Sequence, residues 1–246
     1  MRKKIIYDFF DKIDTEEKAY WLGFIYADGN ITKKKDVFNL GLQIKDKNHL
    51  QKIASIFNKP IKTREETCRG KMFQKCTLRV CSVYLCSSLI SKGIVPRKTY
   101  IDSDVFYHVP DELLRHFIRG NMDGDGCICR FIKYGKIKYR VNFLGRMKFI
   151  KELEAIFKKK FPEDLFYSVQ YQSLWRSSIC YAPTILRILN WLYSDATVYL
   201  ERKHDKYLGF KNEFSQITAH ATGRNANRDN AVIIAKAWRT RKAKTA

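Results

Sequence analysis

Alternation of apolar and polar residues predicts several strands along the chain. Between residues 37 and 45 every second residue is apolar, starting at Phe38, and most residues between them are polar. A period of two places the apolar side chains on one face of a strand and leaves the other face polar. The stretches 61–81, 127–144 and 165–181 are predicted hairpins by the same reasoning.

Helical spacing of apolar residues predicts six helices between and around these strands. The first begins near Asp14 or Thr15, either of which is a suitable N-cap, and has acidic residues in its first turn. It ends at Asp28-Gly29. The other five are predicted at 48–57, 83–93, 111–125, 147–157 and 183–193.

The order of these elements repeats, which predicts an α+β fold of two like subdomains. WLGFIYADG at 21–29 is followed 97 residues later by IRGNMDGDG at 118–126, and LQKIASIF at 50–57 is matched by IKELEAIF at 150–157. Each copy reads helix, hairpin, helix, hairpin, helix. The predicted subdomains span 1–105 and 106–211. A basic, alanine-rich tail at 212–246 follows, either disordered or containing a short helix at AVIIAKAW.

Small residues recur on one face of the two motif helices. Gly23 and Ala27 are four residues apart, as are Gly120 and Gly124, so each pair shares a helix face. Small residues on facing helices allow close approach. We therefore expect these helices to pack on each other and to bring Asp28 and Asp125 together. The glycines that follow, Gly29 and Gly126, suit the left-handed conformation at a helix end.

Two adjacent carboxylates beside helix-end carbonyls predict a divalent-metal site. The carboxylates repel each other unless a cation lies between them, and hard oxygen ligands suit Mg²⁺ or Ca²⁺. On a basic protein such a site predicts phosphodiester hydrolysis. The alternative is a pair of Asp-Gly turns that only end helices, and the repetition favours a site. Asp123 aligns with Tyr26 in the first copy, so it is predicted to cap or hydrogen-bond locally.

Composition and charge favour a nucleic-acid partner. The 246 residues include 47 Lys+Arg against 25 Asp+Glu, a formal net charge of +22. Such a charge is typical of polyanion binders, although a solvated basic surface or attraction to anionic lipid are alternatives. No apolar run reaches transmembrane length, so membrane insertion is not expected, and nucleic acid is favoured over a membrane as the partner. The seven cysteines form no zinc pattern, which favours free thiols in a reducing intracellular compartment, a bacterial or phage cytoplasm or an organelle.

The two motifs resemble those of the LAGLIDADG homing endonuclease family in its single-chain, two-repeat form. The third-position glycine and the Asp-Gly ending match in both copies, whereas Tyr26 and Asn121 depart from common residues. GIVPRKT at 93–99, HVPDELLRHFIRG at 108–120 and WLYSDATVYLERKH at 191–204 also resemble connecting segments of the family. The resemblance covers about residues 14–210.

The resemblance implies an αββαββα fold in each half, with the motif helices at the interface and the two sheets forming a saddle over DNA. It also implies a monomeric endonuclease that uses Mg²⁺, with Ca²⁺ or Mn²⁺ as substitutes for binding. Asp28 and Asp125 would hold the cations, assisted by the carbonyls of Ala27 and Gly124. The substrate would be double-stranded DNA with a long asymmetric target, cut on both strands to leave 3′ overhangs.

Further roles follow from the same resemblance. Arg79 fits a basic catalytic position in copy one, and Gln43 and Lys45 are candidates for an amide or second basic position. In copy two, Ser178 stands where Arg79 would repeat. The implied DNA contacts are Asn39, Gln43, Lys45, Thr77, Arg79, Lys98, Lys136, Lys138, Arg140, Asn142, Gln170, Gln172, Arg176 and Ser178. The alternative functions on this scaffold are an intron RNA maturase and a DNA-binding regulator that does not cleave.

Overall fold

The computed structural model describes residues 6–68 and 70–224, without the side chains of 68, 71 and 216–224. The described residues divide into two units, one ending at Tyr207 and the other beginning at Leu208. Residues 212–224 continue the last helix, whereas the short helix predicted at AVIIAKAW lies outside the described residues. The predicted subdomain boundaries 1–105 and 106–211 stay a prediction. No helix in the described part is long and apolar enough to cross a membrane.

The first half forms one four-stranded antiparallel sheet with three helices. Its elements are α1 (Glu16–Asp28), β1 (Gly29–Ile31), β2 (Val37–Gln43), α2 (Lys47–Ile56), β3 (Ile61–Cys68), β4 (Lys71–Cys81) and α3 (Val83–Ser91). The strand order is β1-β2-β4-β3. Thr15 is the N-cap of α1, and its side chain accepts a hydrogen bond from the Lys18 amide at 3.3 Å. The short strand β1 has too few residues to show an alternation in the sequence.

The second half repeats this plan. Its elements are α4 (Leu114–Gly124), β5 (Cys127–Lys133), β6 (Lys136–Gly145), α5 (Met147–Lys160), β7 (Ser168–Tyr171), β8 (Leu174–Ile179) and α6 (Ala182–Tyr193), followed by α7 (Glu201–Arg224). The strand order is β5-β6-β8-β7, the counterpart of the first sheet. The predicted fold of two αββαββα halves is confirmed.

One face of each sheet packs on the helices and the other carries polar residues. On β2 and β4, Leu40 and Leu78 are fully buried, whereas Gln43 and Arg79 on the opposite face are exposed. Burial of the apolar face fixes the register, because a slip of one residue would turn every apolar side chain to solvent. The polar face is thereby left free for a partner.

Helices α1 and α4 pack in direct backbone contact through their glycines. A Cβ added to Gly23 would lie 3.1 Å from the Asn121 amide nitrogen and clash with the carbonyl oxygen of Phe117. One added to Gly120 would lie 2.8 Å from the Phe24 amide nitrogen and clash with the carbonyl oxygen of Tyr20. The close helix pair expected from the small residues is confirmed, and its symmetry follows from the repeat.

The glycines after the two aspartates are needed for space. Gly29 has φ −74° and ψ 152°, and Gly126 is not among the residues with positive φ. The predicted left-handed helix ends are therefore wrong. A Cβ on Gly29 would lie 2.6 Å from the Ile25 carbonyl oxygen, and one on Gly126 would lie 2.6 Å from the Met122 carbonyl oxygen. The chain folds back onto the preceding turn, where only glycine fits.

A buried polar network holds α4 against its neighbours. Asp123 is completely buried and accepts hydrogen bonds from the Tyr20 hydroxyl at 2.8 Å, the Tyr193 hydroxyl at 2.6 Å and the Leu200 amide at 2.7 Å. Burial raises the pKa of Asp123, and these hydrogen bonds oppose the rise. The predicted local role of Asp123 is wrong, because the side chain joins α1, α6 and the segment before α7.

Arg119, one turn before Asp123, completes the attachment of α4 on the same face. The fully buried guanidinium donates to the Val198 carbonyl at 2.9 Å, to the Leu192 carbonyl at 2.8 Å and to the Glu16 carboxylate at 2.6 Å. A buried charge is tolerated only when its donors are satisfied in this way. The motif helix is thus tied to α1 and to the segment after α6 by charged groups, in addition to the glycine contact.

Substitution of Gly120 by alanine is expected to destabilise the protein by more than about 3 kcal/mol, because the added methyl group forces the two backbones apart. Urea or thermal unfolding followed by circular dichroism measures the effect. The matched control is Gly209→Ala, where an added Cβ would meet no described atom within 4 Å apart from its chain neighbours and the nearby backbone of its own helix. That change should be neutral or stabilise helix α7 by up to about 1 kcal/mol. Equal effects of both substitutions would contradict the close helix contact.

Candidate metal and nucleic-acid site

Asp28 and Asp125 lie at the C-terminal ends of α1 and α4, where the two packed helices meet. Asp28 is the last residue of α1 and Asp125 is the C-cap of α4. A Cβ on Gly124 would lie 3.2 Å from Oδ2 of Asp28, so the first carboxylate touches the turn that carries the second. The helix contact therefore brings the two acids together, as their positions in the repeat predicted.

Burial and the charge of Asp125 disfavour ionisation of Asp28. The pKa of Asp28 is raised to about 6 by burial and by the charge of Asp125, while the nearby Lys98 and Lys203 oppose the rise. The pKa of Asp125 is raised by burial as well, against the same two lysines. Asp125 nevertheless remains exposed at the surface of the molecule. A cation bound between the carboxylates would relieve this unfavourable charge.

Lys98 supports the end of the first motif helix. Its Nζ donates to the Ala27 carbonyl at 2.9 Å and to the Gly29 carbonyl at 2.6 Å. A cation at a helix C-terminus satisfies carbonyls that have no partner within the helix and offsets the helix dipole. Burial lowers the pKa of Lys98, while Asp125 and Asp28 raise it. The predicted metal ligand Ala27 is thus already hydrogen-bonded to a lysine.

Lys203 does the same for the second motif helix and was missed by the sequence analysis. Its buried Nζ donates to the Met122 carbonyl at 2.9 Å and to the Gly126 carbonyl. Burial lowers its pKa, and the charge of Asp123 opposes that shift. A partial signal was present in the repeat, because a lysine occurs seven residues after the end of α3, at Lys98, and another occurs ten residues after the end of α6, at Lys203. Only the spatial contacts show that the two are equivalent.

The protein offers a small set of hard oxygen ligands at this junction. Among the described residues, no group of three or more His, Cys, Asp or Glu side chains could hold a metal ion. The candidate metal ligands are therefore the carboxylates of Asp28 and Asp125, one from each half. This set fits Mg²⁺, which commonly takes one or two protein carboxylates and completes its shell with waters and substrate phosphate. It does not fit zinc, which needs about three or four nitrogen or sulfur ligands.

Basic residues line the polar face beside Asp28. A cavity of about 580 Å³ is bordered by Asp28 and by side chains from β2, β3 and β4, namely Asn39, Lys62, Arg64, Lys75, Thr77 and Arg79. Thus Arg79, Asn39 and Thr77 lie where the sequence predicted a polar surface. Gln43 ends β2 and is exposed. Lys45 lies in the following 3-10 turn. The strand therefore ends before Lys45, and the strand position predicted for this residue is wrong.

The face beside Asp125 is different. A cavity of about 60 Å³ borders Asp125 together with Lys98, Asn121 and Arg146. Asn142 is buried, and its amide oxygen accepts a hydrogen bond from Ser178 Oγ at 2.8 Å. The guanidinium carbon of Arg176 lies 4.5 Å from the ring centroid of Tyr171.

The remaining predicted contacts lie farther from the carboxylates. Lys136 and Lys138 are exposed in the β5–β6 hairpin, and Arg140 is half-buried. Lys136 pairs with Lys133, six residues from Cys127, which places it roughly 20 Å along the strand. Gln170 and Gln172 are exposed at the β7–β8 turn. These positions suit contacts with an extended partner, and their roles stay predictions.

Comparison with known proteins supports the fold. No family model and no curated protein matches the chain. Among solved structures, the meganuclease I-SmaMI bound to uncleaveable DNA superposes with a TM-score of 0.54 and 13% sequence identity. The match covers 85% of this chain and 97% of the I-SmaMI chain. The LAGLIDADG meganuclease I-AabMI bound to uncleaved DNA is 11% identical over 82% of this chain and 91% of its own, with a TM-score of 0.53.

A further neighbour is full-length DUF199/WhiA from Thermatoga maritima. The sequence identity is 16% and the TM-score is 0.53. The match covers 97% of this chain and 73% of the WhiA chain. The chain has the two-subdomain LAGLIDADG fold. Because the neighbours include WhiA as well as meganucleases, and because the identities are low, the fold alone does not decide the activity.

In metal-free protein, Asp28→Asn is expected to raise the melting temperature at pH 7.5 by a few °C. The raised pKa means that the folded state prefers the protonated carboxyl group. That stabilisation is complete below about pH 4 and is lost as the pH rises through about 6, at a cost on the order of 1–3 kcal/mol. Asparagine never becomes charged, so the gain should disappear at pH 4.

Thermal melts in EDTA at pH 4 and pH 7.5 measure this effect, with Asp195→Asn as the matched control. Asp195 is exposed, and its bond to Arg115 lowers its pKa, so its removal should leave the melting temperature unchanged or slightly reduced at pH 7.5. Added Mg²⁺ should stabilise the native protein more than the Asp28→Asn variant. A lower melting temperature of Asp28→Asn at pH 7.5 without metal would show that the carboxylates do not repel.

Proposed function

We propose that this protein is a site-specific, divalent-metal-dependent endonuclease acting on double-stranded DNA. The observation that carries the proposal is the meeting of Asp28 and Asp125 at the ends of two packed helices, beside polar sheet faces lined with Lys and Arg. Two acids whose pKa values are raised are characteristic of functional sites, because a purely structural helix end gains nothing from repulsion.

The basic polar faces favour a duplex as substrate. Lysine and arginine side chains on strands hold phosphates and fix register, while amide and hydroxyl groups read base edges in the major groove. The protein places both kinds on one surface of the first half: Lys62 and Arg64 beside Asn39 and Thr77. The two sheets together suit a long target, and their different side chains suit an asymmetric one.

The carboxylates of Asp28 and Asp125 would hold Mg²⁺. When bound, the metal would lower the pKa of a water nucleophile and stabilise the charge on the leaving oxygen. Lys98 and Lys203 keep the carbonyls of both helix ends satisfied, which fixes the two acids in place. Arg79 borders the same cavity as Asp28. It would donate hydrogen bonds to a DNA phosphate bound at the first half of the protein.

One carboxylate from each half suits the hydrolysis of one phosphodiester bond on each strand. By analogy with the family that the motifs resemble, we expect 3′ overhangs and a monomeric enzyme. The roles assigned to Gln43 and Lys45 as auxiliary groups, and Ca²⁺ or Mn²⁺ as substitutes for binding, are further parts of this proposal. The net charge of +22 predicts that binding weakens steeply as salt rises.

Asp28→Asn and Asp125→Asn should each reduce cleavage by at least about 10³-fold and leave DNA binding within a few-fold, because each removes a metal ligand without changing the basic surface. The substrate is obtained by selecting duplexes from a randomised library for binding in Ca²⁺, where cutting is expected to be slow. Cleavage is then started with Mg²⁺. Asp111→Asn, an exposed residue paired with Lys159, is the matched control and should cleave normally.

The outcomes separate the candidate functions. Unchanged cleavage by both aspartate variants would end the metal hypothesis. Tight binding of selected duplexes with no cleavage in Mg²⁺ or Mn²⁺ would indicate a DNA-binding regulator instead. Binding of intron RNA without binding of duplex DNA would indicate a maturase.

A further inference from the structure

Two thiols lie side by side on the polar face of the second sheet. Cys127 and Cys129 are separated by one residue of β5, so their side chains leave the strand on the same face. Their sulfur atoms are 3.1 Å apart. Both residues are half-buried, whereas Ile128 between them is buried on the opposite face. A small molecule in solvent can therefore reach the pair.

The pair lies close to the second carboxylate along the chain. Cys127 is the first residue of β5 and follows Asp125 and Gly126 directly. The carbonyl of Gly126 accepts a hydrogen bond from the buried Lys203, so the segment is held on both sides. A movement of the backbone at Cys127 is therefore passed to Asp125 through one intervening residue.

The fold does not require thiols at these positions. At the same distances after Asp28, the first copy has Asn30 and Thr32. Cys76 shows what a structural cysteine looks like in this protein, because it is fully buried and its Sγ donates to the Leu42 carbonyl at 3.4 Å. Packing accounts for that residue, and it does not account for a half-buried pair of thiols in contact.

The geometry of the strand allows a disulfide between the two sulfurs. Residues two apart on a strand have Cα atoms roughly 6.6 Å apart, near the upper end of the range of about 4.4–6.8 Å that a disulfide spans. Bond formation would bring the sulfurs from 3.1 Å to about 2.05 Å and draw the backbone together. Because β5 is the edge strand of its sheet, it can bend with little disruption of the ladder.

The reactivity of this site comes from the pairing of the thiols. Burial and the neighbouring Cys127 raise the pKa of Cys129, while the charges of Arg140 and Lys206 oppose the rise. Cys129 alone is therefore a slow nucleophile at neutral pH. A second thiol that is already in contact reacts at a high effective concentration as soon as the first is oxidised.

We propose that Cys127 and Cys129 form a reversible oxidation site for hydroperoxides, and that the disulfide between them slows DNA cleavage. One sulfur attacks the peroxide, a sulfur–oxygen bond forms as the oxygen–oxygen bond breaks, and water or an alcohol leaves. The second sulfur then attacks the resulting sulfenic acid, a sulfur–sulfur bond forms, and the hydroxyl group leaves with the second thiol's proton as water. Two thiols are oxidised and one hydroperoxide is reduced.

The oxidation site stands independently of the proposed function, whereas its effect on cleavage rests on the proposed endonuclease. Closing the disulfide would shift the segment that carries Asp125, and a displacement on the order of 1 Å near reacting groups can cost about 10²-fold in rate. In a reducing compartment the thiols stay open and the enzyme stays active. Disulfides that form in such compartments are typically transient and redox-sensing.

Peptide mass spectrometry tests the oxidation site directly. Full-length protein is reduced, treated with hydrogen peroxide, alkylated and digested with trypsin. Cleavage after Arg119 and Arg130 releases one peptide, residues 120–130, which contains both cysteines of the pair and no other cysteine. After oxidation this peptide should be two hydrogen atoms lighter and resist alkylation, and dithiothreitol should reverse both changes. Cys180→Ser removes an exposed thiol of the same half and should give the same disulfide.

Cleavage assays test the effect of the disulfide. Duplexes selected by binding in Ca²⁺ are cut in Mg²⁺ by reduced, oxidised and re-reduced protein. Oxidation of the native protein should slow cleavage by about 10–100-fold, and dithiothreitol should restore the rate. Cys129→Ser cannot form the bond, so it should cleave like the reduced native protein and keep its rate after peroxide treatment. Cys127→Ser serves the same purpose if Cys129→Ser fails to fold.

The results distinguish this proposal from the proposed function. Absence of the disulfide from peptide 120–130, under conditions where peroxide already oxidises the exposed Cys180, would overturn the oxidation site. A disulfide that leaves cleavage unchanged, or a Cys129→Ser variant slowed as much as the native protein, would overturn its control of cleavage. If the reduced protein binds the selected duplexes without cutting them, the endonuclease proposal fails, and the peptide mass still decides the oxidation site.

Discussion

The backbone contact between α1 and α4 is the constraint on which the rest of the structure depends. Gly23 and Gly120 have no Cβ that would push the helices apart, and each glycine faces a carbonyl of the opposite helix. Helices this close must end close together, so the residues at their ends become neighbours. The position of Asp28 beside Asp125 is a consequence of packing, and it needs no attraction between the two acids.

That packing places two carboxylates close together. Two sets of surrounding residues hold them there, one at the helix ends and one deeper in the molecule. At the helix ends, Lys98 and Lys203 satisfy free carbonyls and offset part of the carboxylate charge. Deeper in the molecule, Asp123 and Arg119 anchor α4 with fully buried polar contacts. The acids are therefore held in a rigid frame while their mutual repulsion remains incompletely relieved. A frame of this kind would suit the cation and the phosphate of the proposed reaction.

The sequence predicted the features of the fold that depend on local residue patterns or on the internal repeat. Strand alternation and helical spacing gave the element order, and paired small residues gave the helix contact. It failed where contacts are long-range. Asp123 looked like a local cap, yet its partner Leu200 is 77 residues away. Lys203 lies in the 191–204 segment, but nothing local to it indicated a contact with the Met122 carbonyl. The helix-end glycines were interpreted by backbone conformation, whereas the reason for Gly29 is the space beside Ile25, which only coordinates reveal.

Duplication explains why some parts of the protein are symmetric and others are not. The helix contact involves both copies at once. A side chain at Gly23 would displace α4 and one at Gly120 would displace α1, so neither copy can change there alone. The polar faces of the two halves lie on separate sheets, and each can change without disturbing the other. Packing thus fixes the carboxylates and leaves the polar faces variable. The same fold can accordingly support different chemistries: Arg79 and Ser178 hold equivalent register positions and differ in chemistry, while the scaffold around them stays the same.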